Sequence, residues 1–143
     1  QVLAEHHGWE SWANFPHERD RLLALLAASD TPTVIVSGDR HFAEISEYPL
    51  APASSTGAGT GRPPTIVDVT SSGINRGYPE ETPTSNDRRT GGYYLGHNVG
   101  ELEISWPEPG GGTGVDGAAT GLTVRIRIYD EDGLIRLEHD VRR

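Results

Sequence analysis

The sequence predicts a mixed α/β fold, α+β in the arrangement of its elements, on three observations. Glu18 to Ala28 carries leucines at helical spacing. Thr33 to Val36 is a short, apolar, β-branched run. From Leu122 to Val141 polar and apolar residues alternate, as half-buried antiparallel sheet requires.

In the helix, Leu22, Leu25 and Leu26 form the apolar stripe, and Glu18, Arg19, Asp20 and Arg21 the polar start. Pro16 suits the first turn, where backbone amides have no internal acceptor. Asn14 is expected to cap the helix, with Trp12 and Phe15 anchoring it to a sheet. Ser29 to Pro32 stops it, and Thr33 to Val36 reads as a central strand covered on both faces. Beyond Ile45 apolar residues thin out. Ala51 to Pro64, rich in Ala, Ser, Gly, Thr and Pro, is expected to be a mobile surface loop. Thr65 to Thr70 is the next strand. Ser71 to Val99 shows little periodicity, and Trp106 to Gly121 is dominated by Pro and Gly. Unstructured stretches of that length are uncommon inside a domain, so partner structure is expected to lie elsewhere.

The C-terminal part is more regular. Glu101 to Trp106 alternates, and so does Leu122 to Tyr129, with Leu122, Val124, Ile126 and Ile128 on one face and Thr123, Arg125, Arg127 and Tyr129 on the other. Asp130 to Gly133 makes a turn in which Gly133 takes positive φ, and Leu134 to Val141 returns as the hairpin partner. That turn is too short for the oxygen cage of a calcium loop.

The 143 residues suffice for one domain with its own core. A net charge of −9, with arginine supplying all 12 basic residues, argues against binding nucleic acid through a basic surface. The absence of cysteine excludes a disulfide scaffold and any thiolate metal site. No apolar run approaches the roughly 18 residues that span a bilayer. With Gln1 first and no methionine, the chain is expected to be a piece of a larger or processed protein, and no signal peptide is visible.

Chemistry concentrates in Ser37-Gly38-Asp39-Arg40-His41, directly after the Thr33 to Val36 strand. Ligands in open α/β sheets gather at the carboxyl ends of strands. In extended backbone Asp39 and His41 share a face and Arg40 turns away, while Gly38 permits a bend or a close approach to a ligand. A carboxylate oxygen with an imidazole nitrogen suits a hard or borderline cation. Two ligands are fewer than a catalytic metal takes, so others must come from elsewhere. The bland alternative is that Asp39 caps a turn and His41 satisfies a buried carbonyl.

Several segments carry a family resemblance in order. They are Glu10, Trp12, Asn14 to Pro16, Glu18, Arg19, Arg21 to Leu23; then Ser37-Gly38-Asp39-Arg40-His41-Phe42-Ala43-Glu44; then Thr70 to Asn75; then Asn98, Gly100, Leu102, Ile104 and Trp106. Together they resemble the C-terminal third of PhoD-like alkaline phosphatases, in the calcineurin-like metallophosphoesterase superfamily. The resemblance implies the C-terminal portion of a β-sandwich core flanked by helices and ending in antiparallel strands, residues 1–143 being one segment of that domain. It implies two metal ions in the parent, drawn from iron, calcium, manganese or zinc, and metal-dependent hydrolysis of phosphate esters, mono- or diester. Asp39 and His41 match that family's last metal-binding motif. The earlier motifs have no counterpart here, so the chain requires the missing N-terminal part, and alone it is expected to be inert and marginally folded. Family analogy also implies a periplasmic or secreted protein.

Among the other candidates, Arg40 either stabilises phosphate charge or forms a structural salt bridge, the latter favoured by the alternation. His97 and Asn98, at the end of a long loop, are candidates for substrate contact. His6, His7, His17 and His139 are expected to face solvent. Thr70-Ser71-Ser72-Gly73 binds an anion through its amides or simply ends a strand. A serine hydrolase lacks its Gly-x-Ser-x-Gly elbow here. The non-enzymatic alternative is a β-rich binding module or a degenerate phosphatase relic.

Overall fold

A computed structural model describes residues 1–6, 8–29, 32–50, 65–78, 85–106 and 122–142. The expectations for 51–64, for most of 106–121 and for His7 lie outside them. The helix α1 spans Pro16–Ala28, preceded by a short 3-10 turn at Trp12–Asn14. Among the described residues seven strands follow: β1 Thr33–Ser37, β2 Ala43–Pro49, β3 Thr65–Ser71, β4 Arg89–Tyr94, β5 Asn98–Ser105, β6 Thr123–Asp130 and β7 Ile135–Arg142. The first four form one sheet in the order β1-β3-β2-β4, and the last three form a second, β5-β6-β7. Among the described strands only β1 and β3 run parallel, so the fold is mixed, as expected, and its terminal strands are antiparallel.

Two cores hold the layers together. Between the sheets lie Ala43, Ile45, Val67, Val69, Ile126, Ile128, Leu137 and Val141. On the far side of the first sheet, Val2, Leu3, Leu23, Leu50 and Ile66 pack with Leu22, Leu26 and Ile35. β3 is therefore the strand covered on both faces, with Val67 and Val69 toward the second sheet and Ile66, Asp68 and Thr70 toward the helix layer. This corrects the expectation for β1, which lies at the sheet's edge with Val36 70 % exposed. Both strands read alike in sequence. The difference is that β3 is hydrogen-bonded on both sides and overlain by both layers.

The helix layer is pinned by polar groups that periodicity does not reveal. The amides of Val2 and Leu3 donate to the buried Asp68 carboxylate at 2.6 and 2.9 Å. Arg19, buried in α1, donates to the carbonyls of Val2 and Leu3 and to Glu5. The leucine stripe is accordingly Leu22, Leu23 and Leu26, and Leu25 faces solvent. Pro16 begins the helix as expected, but Asn14 is not its cap. Phe15 holds the cap position without a side-chain hydrogen bond, and Asn14 donates instead to the Trp9 carbonyl. Trp12 and Phe15 are exposed, so neither anchors the helix in the core. Within Ser71 to Val99, the expectation of irregular structure is corrected by β4 and the start of β5. His139 is also largely buried, its Nε2 4.0 Å from Glu47, while His6 and His17 face solvent.

Candidate functional site

β1 and β2 flank β3, so the segment joining them must cross the carboxyl end of β3. Five residues make that crossing, Gly38 to Phe42. They do it through a tight turn in which Asp39 has φ 74° and His41 φ 54°. Among the described residues these are the only non-glycine positions with positive φ. Left-handed backbone costs an L-residue about 1–2 kcal/mol, and Asp and His are among the residue types that accept it. The expected bend at Gly38 falls instead on its neighbours. Gly38 has no positive φ, and a side chain there would meet the Ser72 Cβ only at ordinary contact distance, 3.7 Å. Asp39 and His41 are therefore not presented by extended backbone, and their i, i+2 alternation is not what places them.

Ser72 clamps the turn from the end of β3. Its hydroxyl accepts the His41 amide at 2.9 Å, and its amide donates to the Phe42 carbonyl at 3.3 Å. The Ser71–Gly73 segment in turn is held by Asn98, whose amide oxygen accepts from the Ser71 hydroxyl and the Gly73 amide while its nitrogen donates to the Gly96 carbonyl. Asn98 is buried with both ends of its amide engaged, so its side chain holds the Ser71–Gly73 segment in place. His97 turns to Glu131, Nδ1 to Oε2 2.9 Å, at the exposed tip of the β6–β7 hairpin.

The His41 ring stacks on Tyr78, centroids 5.4 Å apart and planes inclined by 13°, with Nδ1 3.3 Å from the phenol oxygen. Arg76 lies over that Tyr78 ring at 4.8 Å. Asp39 is exposed, and among the described residues nothing pairs with its carboxylate. Arg40 makes no salt bridge among the described residues, contrary to expectation. Its guanidinium carbon lies 5.1 Å from the Trp9 ring centroid and 5.9 Å from that of Phe42, which ties the turn to the segment before the helix. Tyr78, Arg76 and Trp9 were not singled out by sequence. An aromatic in an aperiodic segment carries no signal until the chain brings it to a site.

The donor chemistry at the turn, one carboxylate and one imidazole, suits a hard or borderline cation. Among the described residues no three His, Asp or Glu side chains form a metal-holding group. The two donors thus fit part of a metal centre and require others from outside the described residues. Comparison with family models, curated proteins and solved structures finds no match for the chain.

Proposed function

We propose that the chain is the C-terminal part of a PhoD-like metallophosphoesterase domain, in which Asp39 and His41 supply the last metal-binding motif of a phosphate-ester hydrolase. The observation that carries this reading is the left-handed pair itself. Two strained side chains bearing metal-ligand chemistry sit in one tight turn at the carboxyl ends of β1 and β3. Strain of this kind persists only where the surroundings enforce it, and it collects at functional sites. Here Ser72 and the Trp9–Arg40 stack do the enforcing.

Each residue then has a defined task. Asp39 offers a solvent-facing carboxylate to a cation. The His41 ring is held by its stack on Tyr78, with Nδ1 3.3 Å from the phenol oxygen, and a ring nitrogen that keeps its lone pair would be the donor to a cation. Arg76 places positive charge over the Tyr78 ring, one ring away from His41. When bound, a metal pair polarises a phosphoryl oxygen and lowers the pKa of a coordinated water.

The test is hydrolysis of aryl phosphate mono- and diesters by the protein carrying this segment, supplied in turn with calcium, manganese, iron and zinc. Asp39→Asn and His41→Ala should each lower turnover by orders of magnitude and reduce bound metal in parallel, with far-UV circular dichroism unchanged. Undiminished turnover and metal content in both variants would refute the assignment.

A further inference from the structure

Building on the reading of His41 as a metal ligand, we propose that Tyr78 is a positioning residue of the same site, its ring face holding the His41 imidazole in the orientation that binds metal, and that Gly77 seats Tyr78 for that task. The Ser72 hydroxyl fixes the backbone of His41 and leaves the ring to turn about two side-chain bonds. A ligand works when neighbours that are themselves locked hold it within about 0.5 Å and roughly 10–20° of its productive place. Among the described residues Tyr78 is the side chain that meets the His41 ring, stacked 5.4 Å centroid to centroid with planes inclined by 13°. The 3.3 Å between Nδ1 and the phenol oxygen is long for a hydrogen bond, and near-parallel planes put the contact on the ring faces. The flat face therefore does the holding, and the hydroxyl is secondary.

Tyr78 can hold another ring because its own place is set by main chain. Its amide donates to the Leu95 carbonyl at 2.8 Å, in the connection between β4 and β5. Gly77 lies flat on that connection. A Cβ there would stand 2.5 Å from the Leu95 carbonyl oxygen and 2.9 Å from the Gly96 carbonyl carbon, closer than real side chains come. Gly96 in turn lies against the Tyr94 phenol, where a Cβ would meet the hydroxyl. Asn98 ties the same connection to the other end of the loop, its side chain donating to the Gly96 carbonyl and its amide to the Gly73 carbonyl. Residues 95–98 thus grip the loop at Gly73 and at Tyr78, and so hold the two residues, Ser72 and Tyr78, that fix His41. The Arg76 guanidinium, 4.8 Å from the Tyr78 ring centroid, adds a further contact to that ring. The direction of the imidazole is in this way set from the β4–β5 connection, none of whose residues touches His41.

Calorimetric titration of manganese and of zinc, each alone, into the chelator-stripped protein carrying this segment tests the assignment without recourse to turnover. Tyr78→Ala should weaken by about 10–100-fold the binding that His41→Ala abolishes, with the circular dichroism spectrum unchanged. Tyr78→Phe keeps the ring face and should restore the parental affinity, a rescue that a role through the hydroxyl would not allow. Gly77→Ala should weaken binding as well, because its methyl group lifts Tyr78 off Leu95. If Tyr78→Ala fails to fold, Tyr78→Leu, which keeps bulk and loses the flat face, replaces it; if Gly77→Ala fails to fold, the Tyr78 variants decide. Metal binding that survives His41→Ala would overturn the ligand reading and this inference with it. Binding lost in His41→Ala but parental in Tyr78→Ala or Gly77→Ala, or as weak in Tyr78→Phe as in Tyr78→Ala, would overturn this inference alone.

Discussion

The two sides of the β-sandwich are made from similar strands and finished differently. Where β4 and β7 meet, side chains close the gap between the sheets: the Arg136 guanidinium lies 5.2 Å from the Tyr94 ring centroid, His139 approaches Glu47, and Leu137 and Val141 are buried. On the opposite side β5 rests against β3, one strand in from the edge, and β1 projects beyond it. There Val36, Leu102 and Ile104 point along the inner faces of their sheets, yet nothing overlies them among the described residues. Ile104 and Ile126 belong to the same face of one sheet, one 48 % exposed and the other fully buried. Burial here is decided by where a strand falls in the stack, not by which residue it carries.

The largest effect expected from this contrast lies within the first sheet. Glu44 in β2 is almost fully buried and pairs with Arg89 of β4 at 2.7 Å, its other oxygen accepting from Gln1. Arg89→Ala strands that carboxylate and should cost about 3–5 kcal/mol in denaturant unfolding. By contrast, Arg125→Ala, which breaks an exposed pair with Asp140 on the outer face of the second sheet, should change the midpoint little. Equal losses would show that the first sheet is as loosely held as that surface.

A second pair of substitutions compares the two sides directly. Ile126→Ala removes a side chain from the closed core and should cost about 3 kcal/mol, whereas Ile104→Ala on the open side should cost less than about 1 kcal/mol. An Ile104→Ala cost approaching that of Ile126→Ala would mean that something covers the open side in solution.

The smallest expected effect is a pH dependence at the closed end. Burial pushes the Asp130 carboxyl up, but the Leu134 and Asp132 amides and the Arg136 guanidinium outweigh it, leaving the pKa below the ordinary 3.8. Between the two values the unfolded chain binds a proton that the folded chain refuses. The stabilisation is therefore complete above the ordinary value and is lost as pH falls through the lowered one. In an acid titration of stability Asp130→Asn should show a shallower decline below about pH 4 than the parent. An unchanged slope would remove Asp130 from the account.

How far the sequence discloses these features depends on how local their causes are. The β6–β7 hairpin is legible because its alternation and its Asp130–Gly133 turn lie within adjacent residues, and Gly133 takes positive φ as expected. β2 is not, because the buried Glu44 looks like a solvent position until Arg89 arrives from forty-five residues away. β4 is hidden by Gly91 and Gly92, whose positive φ values accompany the register shift in its pairing with β2 and erase any period of two. The same rule governs the candidate site. Asp39 and His41 stand out as residue types, but their left-handed turn follows from having to cross β3, a strand whose place between β1 and β2 no local pattern specifies.

The Asp130 turn has a kinetic consequence. Its carboxylate accepts the amides of Asp132 and Leu134 and grips Arg136, closing a loop of a few residues before any long-range contact is made. The β1–β3 pairing must first bring Thr33 beside Ile66, at the far larger entropic cost of a long closure. Hairpins form in microseconds and distant parallel strands more slowly, so the second sheet is expected to nucleate and the first to condense upon it. Conservative changes at Ile128 should then slow folding, while those at Val67 should chiefly hasten unfolding, in stopped-flow chevrons. The candidate site, assembled from the β1–β2 crossing and the end of β3, would be among the last parts of the molecule to take shape.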